Sequence, residues 1–160
     1  MFQTRLLWPD ERPILAPLIG ELLRHYGMPV PDESALVRAL AEQPDSVEMI
    51  AAIAPEGPVG LASFAQLWPG LGAAPQIYMK ELYVAASARS TGVGEGIVRA
   101  LARVAAERGC TRVDWTTSRE NIGAVAFYGR IGAQVVEEKV YFRLDQEGIA
   151  RLAADQHPPR

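Results

Sequence analysis

Apolar residues recur along this chain with two periods, and the switches between them mark its elements. Phe2 to Trp8 reads as a strand, because Thr4, Leu6, Leu7 and Trp8 favour extended backbone. Pro9-Asp10 ends it and starts a helix in which Ile14, Leu15, Leu18, Leu22 and Leu23 fall near helical spacing. Pro13 fits a first turn, Pro17 predicts a kink or a restart, and Gly27-Met28-Pro29 ends the run. Asp32 to Gln43 predicts a second helix, with Leu36, Val37 and Leu40 as its apolar face and Pro44-Asp45 as its stop. Ser46 to Ala54 and Val59 to Trp68 read as strands joined by the turn Pro55-Glu56-Gly57-Pro58, and a strand from Gln76 to Ala86 follows the loop Pro69 to Pro75.

The second half alternates. Val93, Ile97, Leu101 and Val104 mark a helix from Val93 to Arg108, closed by Gly109. Thr111 to Thr117 predicts a strand. Asn121 caps a helix running to Arg130, with Ala124, Phe127, Tyr128 and Ile131 on one face. Gln134 to Leu144 predicts a last strand and Asp145 to Ala154 a short terminal helix. The order β-α-α-β-β-β-α-β-α-β combines an antiparallel meander with a parallel crossover. It predicts an α/β fold: a mixed, mostly antiparallel central sheet with helices on both faces. No repeat or linker interrupts the chain, so residues 1–154 are expected to form a single domain and 155–160 a flexible tail.

Composition narrows the class. The 160 residues are 49% hydrophobic and 22% charged, as expected of a globular chain with a real core. A net charge of −3 offers nothing to nucleic acid. No apolar run approaches the roughly 20 residues of a membrane helix, and Arg5, Asp10, Glu11 and Arg12 break any leader-like stretch. The single cysteine, Cys110, permits no internal disulfide and suits a cytoplasmic location; it reads as a buried structural thiol. His25 and His157 have no ligand-like partners nearby in sequence, so no metal is expected.

The chemistry centres on Arg89-Ser90-Thr91-Gly92-Val93-Gly94, between a strand and a helix. Glycines let the backbone bend tightly there, and the helix start offers unpaired amides and a positive dipole end to a phosphate. Three cofactor chemistries use such turns. A nucleotide P-loop needs Lys and Ser or Thr after its last glycine, whereas Glu95 follows Gly94. A dinucleotide site gains Gly92, Gly94 and an acid at Asp114, but Ile97 takes its third small position. The third is coenzyme A.

The chain resembles the GCN5-related N-acetyltransferase (GNAT) family, with some likeness to its polyamine and thialysine acetyltransferases. The resemblance rests on Leu82-Tyr83-Val84, on the loop Arg89 to Gly94 and on Asn121-Ile122-Gly123-Ala124-Val125-Ala126-Phe127-Tyr128, followed by Gly132-Ala133, in that order. The usual proline after the strand is replaced by Ala86 or Ser87. The resemblance implies acetyl-CoA as co-substrate. Its pyrophosphate would meet Arg89, Ser90, Thr91, Gly92, Val93 and Gly94, and its pantetheine arm would meet Leu82, Tyr83, Val84 and Asn121. Tyr128 becomes the general acid for the leaving thiolate, since its phenol pKa lies near 10 and a thiol's near 8.5. Amides near Tyr83 or Val84 would stabilise the oxyanion.

Glu81 is the candidate base or cation binder. On a regular strand it shares a face with Ile77, Met79 and Tyr83, apolar company that raises a carboxylate's pKa, while Lys80 points to the other face. A small primary amine is the expected acceptor, with a peptide amine or an aminoglycoside as alternatives. Trp68 and Trp115 are candidates for its pocket or for the core. A non-catalytic acyl-CoA sensor is the rival function, and the resemblance admits a homodimer.

Overall fold

The computed structural model describes residues 1–154; the expected tail at 155–160 lies outside them, and with it His157. The chain divides into two compact units, residues 1–120 and 121–160.

The first unit is built on a five-stranded sheet in the order β1-β2-β3-β4-β5. The strands are β1 (Gln3–Leu6), β2 (Glu48–Ala54), β3 (Gly57–Leu67), β4 (Gln76–Val84) and β5 (Val113–Asp114). The first four run antiparallel and β5 joins β4 in parallel, as the predicted meander and crossover require. The helices are α1 (Ala16–His25), α2 (Glu33–Ala41) and α3 (Val93–Glu107). Pro13 sits in a 3-10 turn over Pro9–Leu15, and the α-helix restarts at Ala16 with Pro17 in its first turn, where a missing amide costs nothing. Asp32 caps α2 by accepting from the Ala35 amide at 2.8 Å. The Ser34 hydroxyl and that amide hold the Asp32 carboxyl below its ordinary pKa.

Both sheet faces are covered. Leu15, Leu18, Leu22, Leu36 and Leu40 pack with Met49, Leu61 and Tyr83 in one buried cluster on the α1/α2 side. On the other side α3 approaches β3 closely. A Cβ placed on Gly60 would lie 2.7 Å from Val93 Cγ1 and 2.9 Å from Ile97 Cδ1, so only glycine leaves room for that seat. At the far end of α3, Arg108 makes a two-pronged pair with Glu48 on β2. The buried Arg12 guanidinium donates to the Gln43 carbonyl at 3.0 Å, just beyond α2.

The second unit contains α4 (Ile122–Arg130) and α5 (Gln146–Ala154). Its segment 134–144 forms no strand, contrary to the alternation of Gln134 to Leu144. A strand needs a neighbour for its amides and carbonyls, and among the described residues this unit holds no other strand. The strand expected over Thr111 to Thr117 shortens to two residues, paired with Ile77 and Tyr78.

Candidate active site

Strand β4 is the spine of the site. It carries a bulge: Ser63 pairs with Glu81 and Phe64 with Met79, which leaves Lys80 as the extra residue. A bulge shifts the alternation of side chains. Glu81 and Tyr83 stand opposite Ser63 and Leu61, whereas Ile77 and Met79 stand opposite Gln66 and Phe64. Glu81 therefore shares its face with Tyr83 but not with Ile77 and Met79. Its carboxylate instead accepts the Tyr26 hydroxyl at 2.9 Å, beside the end of α1. Lys80, expected on the other face, lines a cavity of about 420 Å³ together with Ser63 and Tyr78. Nothing in the sequence marks a bulge, so periodicity alone misplaces both residues.

The outer edge of β4 is paired only at its start. β5 meets Ile77 and Tyr78, and among the described residues no strand pairs with Met79 to Val84 on that side. β5 ends at Asp114, so this edge has no strand partner beyond Tyr78 among the described residues. Leu82, Tyr83 and Val84 lie along this stretch.

The glycine turn follows directly. Gly92 takes φ +86 as the residue before α3, and Ser90 is also left-handed at φ +63. No atom comes within 4 Å of a Cβ placed on Gly92, so its glycine answers to backbone shape and leaves open space in front. The amides of Val93, Gly94 and Glu95 lie in the first turn, where the helix itself supplies no acceptor. Glu95 is an acid beside this positive end, but Arg99 pairs with it at 2.6 Å. Arg89 donates to the Val84 carbonyl at 3.3 Å and lies 5.8 Å from the Tyr83 ring centroid, and Thr91 donates to the Ala88 carbonyl at 2.7 Å.

Glu21 on α1 also faces the end of β4. One of its carboxylate oxygens accepts both the Tyr83 hydroxyl at 3.1 Å and the Ala86 amide at 2.9 Å. Burial, and next the Glu21 carboxylate, push the Tyr83 phenol above its ordinary pKa. A lone Glu on a half-buried helical position carries no signal that separates it from a solvated one.

In the second unit, Asn121 caps α4 by accepting from the Ala124 amide at 3.1 Å. Tyr128 is half-buried, with its ring 5.2 Å from that of Phe127. Trp68 is exposed, its indole donating to the Ala73 carbonyl at 3.1 Å, and neither it nor Trp115 lines the cavity. Cys110 is half-buried rather than fully buried. No helix among the described residues is long and apolar enough to cross a membrane.

The sequence profile of the Acetyltransferase (GNAT) family matches residues 8–133. The chain belongs to that family. It is 29% identical over 93 residues to an L-ornithine N5-acetyltransferase of Arabidopsis thaliana, covering 58% of this chain and 41% of that relative. It is 31% identical over 107 residues to a thialysine N-epsilon-acetyltransferase of Bos taurus, covering 62% and 61%. The chain thus spans about half the length of these curated relatives. An integron cassette protein from the mobile metagenome of V. cholerae superposes with TM-score 0.90 at 32% identity, covering 96% of this chain and 98% of that one. An aminoglycoside acetyltransferase from an uncultured soil sample, in complex with sisomicin, shares the fold with TM-score 0.76 at 20% identity, covering 90% and 95%.

Proposed function

We propose that this GNAT protein is an N-acetyltransferase that moves an acetyl group from acetyl-CoA to a small-molecule primary amine, by direct attack in a ternary complex. The observation that carries the reading is the open edge of β4 from Met79 to Val84, leading straight to the N-terminus of α3 behind Gly92. An extended arm with amide groups fits the edge, and a pyrophosphate fits the amides of the first helical turn. Ser90, Thr91 and Gly94 complete the turn, and Arg89 adds a cation.

Acetyl-CoA supplies an acyl carbon activated by a thiol leaving group. Glu81 takes one proton from the acceptor's ammonium, directly or through water, and exposes the nitrogen lone pair. The new C–N bond forms as the C–S bond breaks, and the electron pair leaves with sulfur. Tyr128 delivers a proton to the sulfur, and the second proton lost by the nitrogen passes through water to restore the Tyr128 phenol, so the products are a neutral amide, a thiol and one proton released from Glu81 to solvent. Asn121 caps α4, and the family resemblance gives it a further part in binding acetyl-CoA.

The test pairs melting with kinetics. Acetyl-CoA at 100 times its dissociation constant should stabilise the protein by roughly 2.7 kcal/mol. Tyr128→Phe should keep that stabilisation and lower turnover about 10²-fold or more. Unchanged turnover removes the acid role, and stabilisation without turnover on any amine points to a sensor.

A further inference from the structure

The cavity beside β4 has no part in the reading above. It holds about 420 Å³, within the usual range for small-molecule sites of roughly 300–1,000 Å³. Leu36 and Leu40 of α2 form one wall, Met49 and Leu67 of the sheet another, and Tyr78 and Lys80 of β4 complete it. No lining residue is a carboxylate, and Lys80 is its one cation. Among the described residues, no hydrogen bond or ion pair engages the Lys80 ammonium. Ser63 lines the cavity and is the cross-strand partner of Glu81, so the cavity begins beside the proposed base.

We propose that the acceptor is an apolar α-amino acid, with its ammonium at Glu81, its carboxylate at Lys80 and its side chain in the cavity walled by Leu36, Leu40, Met49 and Leu67. This rests on the acetyltransfer reading. Adjacent residues of opposite charge, brought to one region by the bulge at Lys80, match the ammonium and the carboxylate that an amino acid carries on its α-carbon. The apolar walls favour a side chain the size of leucine, methionine or phenylalanine. A diamine or aminoglycoside would carry a further cation into a cavity that offers no carboxylate and already holds Lys80, at the cost of desolvation and repulsion. The amino group acetylated is therefore the α-amine, by the bond exchange written above.

Thiol release is measured with phenylalanine, methionine and leucine, with phenethylamine and phenylalanine amide, which lack the carboxylate, and with ornithine and cadaverine. The expected kcat/KM for phenylalanine exceeds that for phenethylamine, the amide and both diamines at least tenfold. Lys80→Gln should bring the ratio of phenylalanine to phenethylamine down at least tenfold. Ala39→Phe, at an exposed α2 position on the cavity wall, should raise KM for phenylalanine at least tenfold. Diamines that match or beat the apolar amino acids overturn this proposal and leave acetyltransfer standing, as does a ratio unmoved by Lys80→Gln. If no amine releases thiol, the acetyltransfer reading falls, and melting with the same amino acids decides the cavity separately. Stabilisation abolished by Ala39→Phe upholds the site; no stabilisation overturns it.

Discussion

The Tyr83 hydroxyl donates to the Glu21 carboxylate at 3.1 Å, tying helix α1 to the end of the strand that leads into the glycine turn. The same oxygen accepts the Ala86 amide, so one side chain fixes both strand and turn. Glu21→Ala strands two donors and should cost about 1–3 kcal/mol in chemical denaturation. Glu21→Gln keeps an acceptor oxygen and should cost less than half as much. Equal losses would show that charge, not the acceptor, holds the contact.

Tyr83 also gives an alkaline signature. Its folded pKa lies above the ordinary value near 10, so above that pH the unfolded chain loses this proton first. The unfolded state then binds fewer protons than the native one, and stability falls as pH rises. The contribution is complete below about pH 10 and is lost as pH climbs through the folded pKa. Tyr83→Phe should flatten the wild-type decline in melting temperature above pH 10, read as a difference between the two curves. Parallel curves would remove the effect.

Gly60 seats α3. Gly60→Ala forces Val93 and Ile97 aside and should destabilise by about 1–3 kcal/mol. Val93→Ala in the same chain should recover part of that loss, because it removes the atom 2.7 Å from the new Cβ. Strict additivity in the double-mutant cycle would contradict this packing.

Gly92 separates shape from binding. Gly92→Ala meets no neighbour within 4 Å, so its folding cost should be only the left-handed strain of about 1–2 kcal/mol. Its Cβ would stand in the space assigned to phosphate. The stabilisation by acetyl-CoA should fall well beyond what the folding loss explains, as read by titration calorimetry. Retained affinity would move the phosphate elsewhere.

The parts of the fold that follow from local chemistry were legible in the sequence. The apolar stripe from Val93 places α3 to within a residue, Asp32 caps α2 as its type suggests, and Pro17 marks the restart of α1. The three central strands stand where alternation and turn residues put them. What failed depends on partners distant in the chain. Gln134 to Leu144 alternates like a strand, but a strand forms only against another. The bulge at Lys80 comes from how β3 and β4 register, and it sets the sheet face on which Glu81 stands. The glycine turn was visible because its residues are special in themselves; Glu21 was not, because only the folded chain brings it to Tyr83.

The most direct test of acetyltransfer is a single incubation with acetyl-CoA and the amine panel, with thiol and N-acetylated amine quantified together. The account predicts equal amounts of both products from at least one primary amine, and a fall of about 10²–10⁴-fold in kcat/KM for Glu81→Gln with acetyl-CoA binding retained. Binding of acetyl-CoA with no N-acetylated amine, or no binding at all, would contradict it.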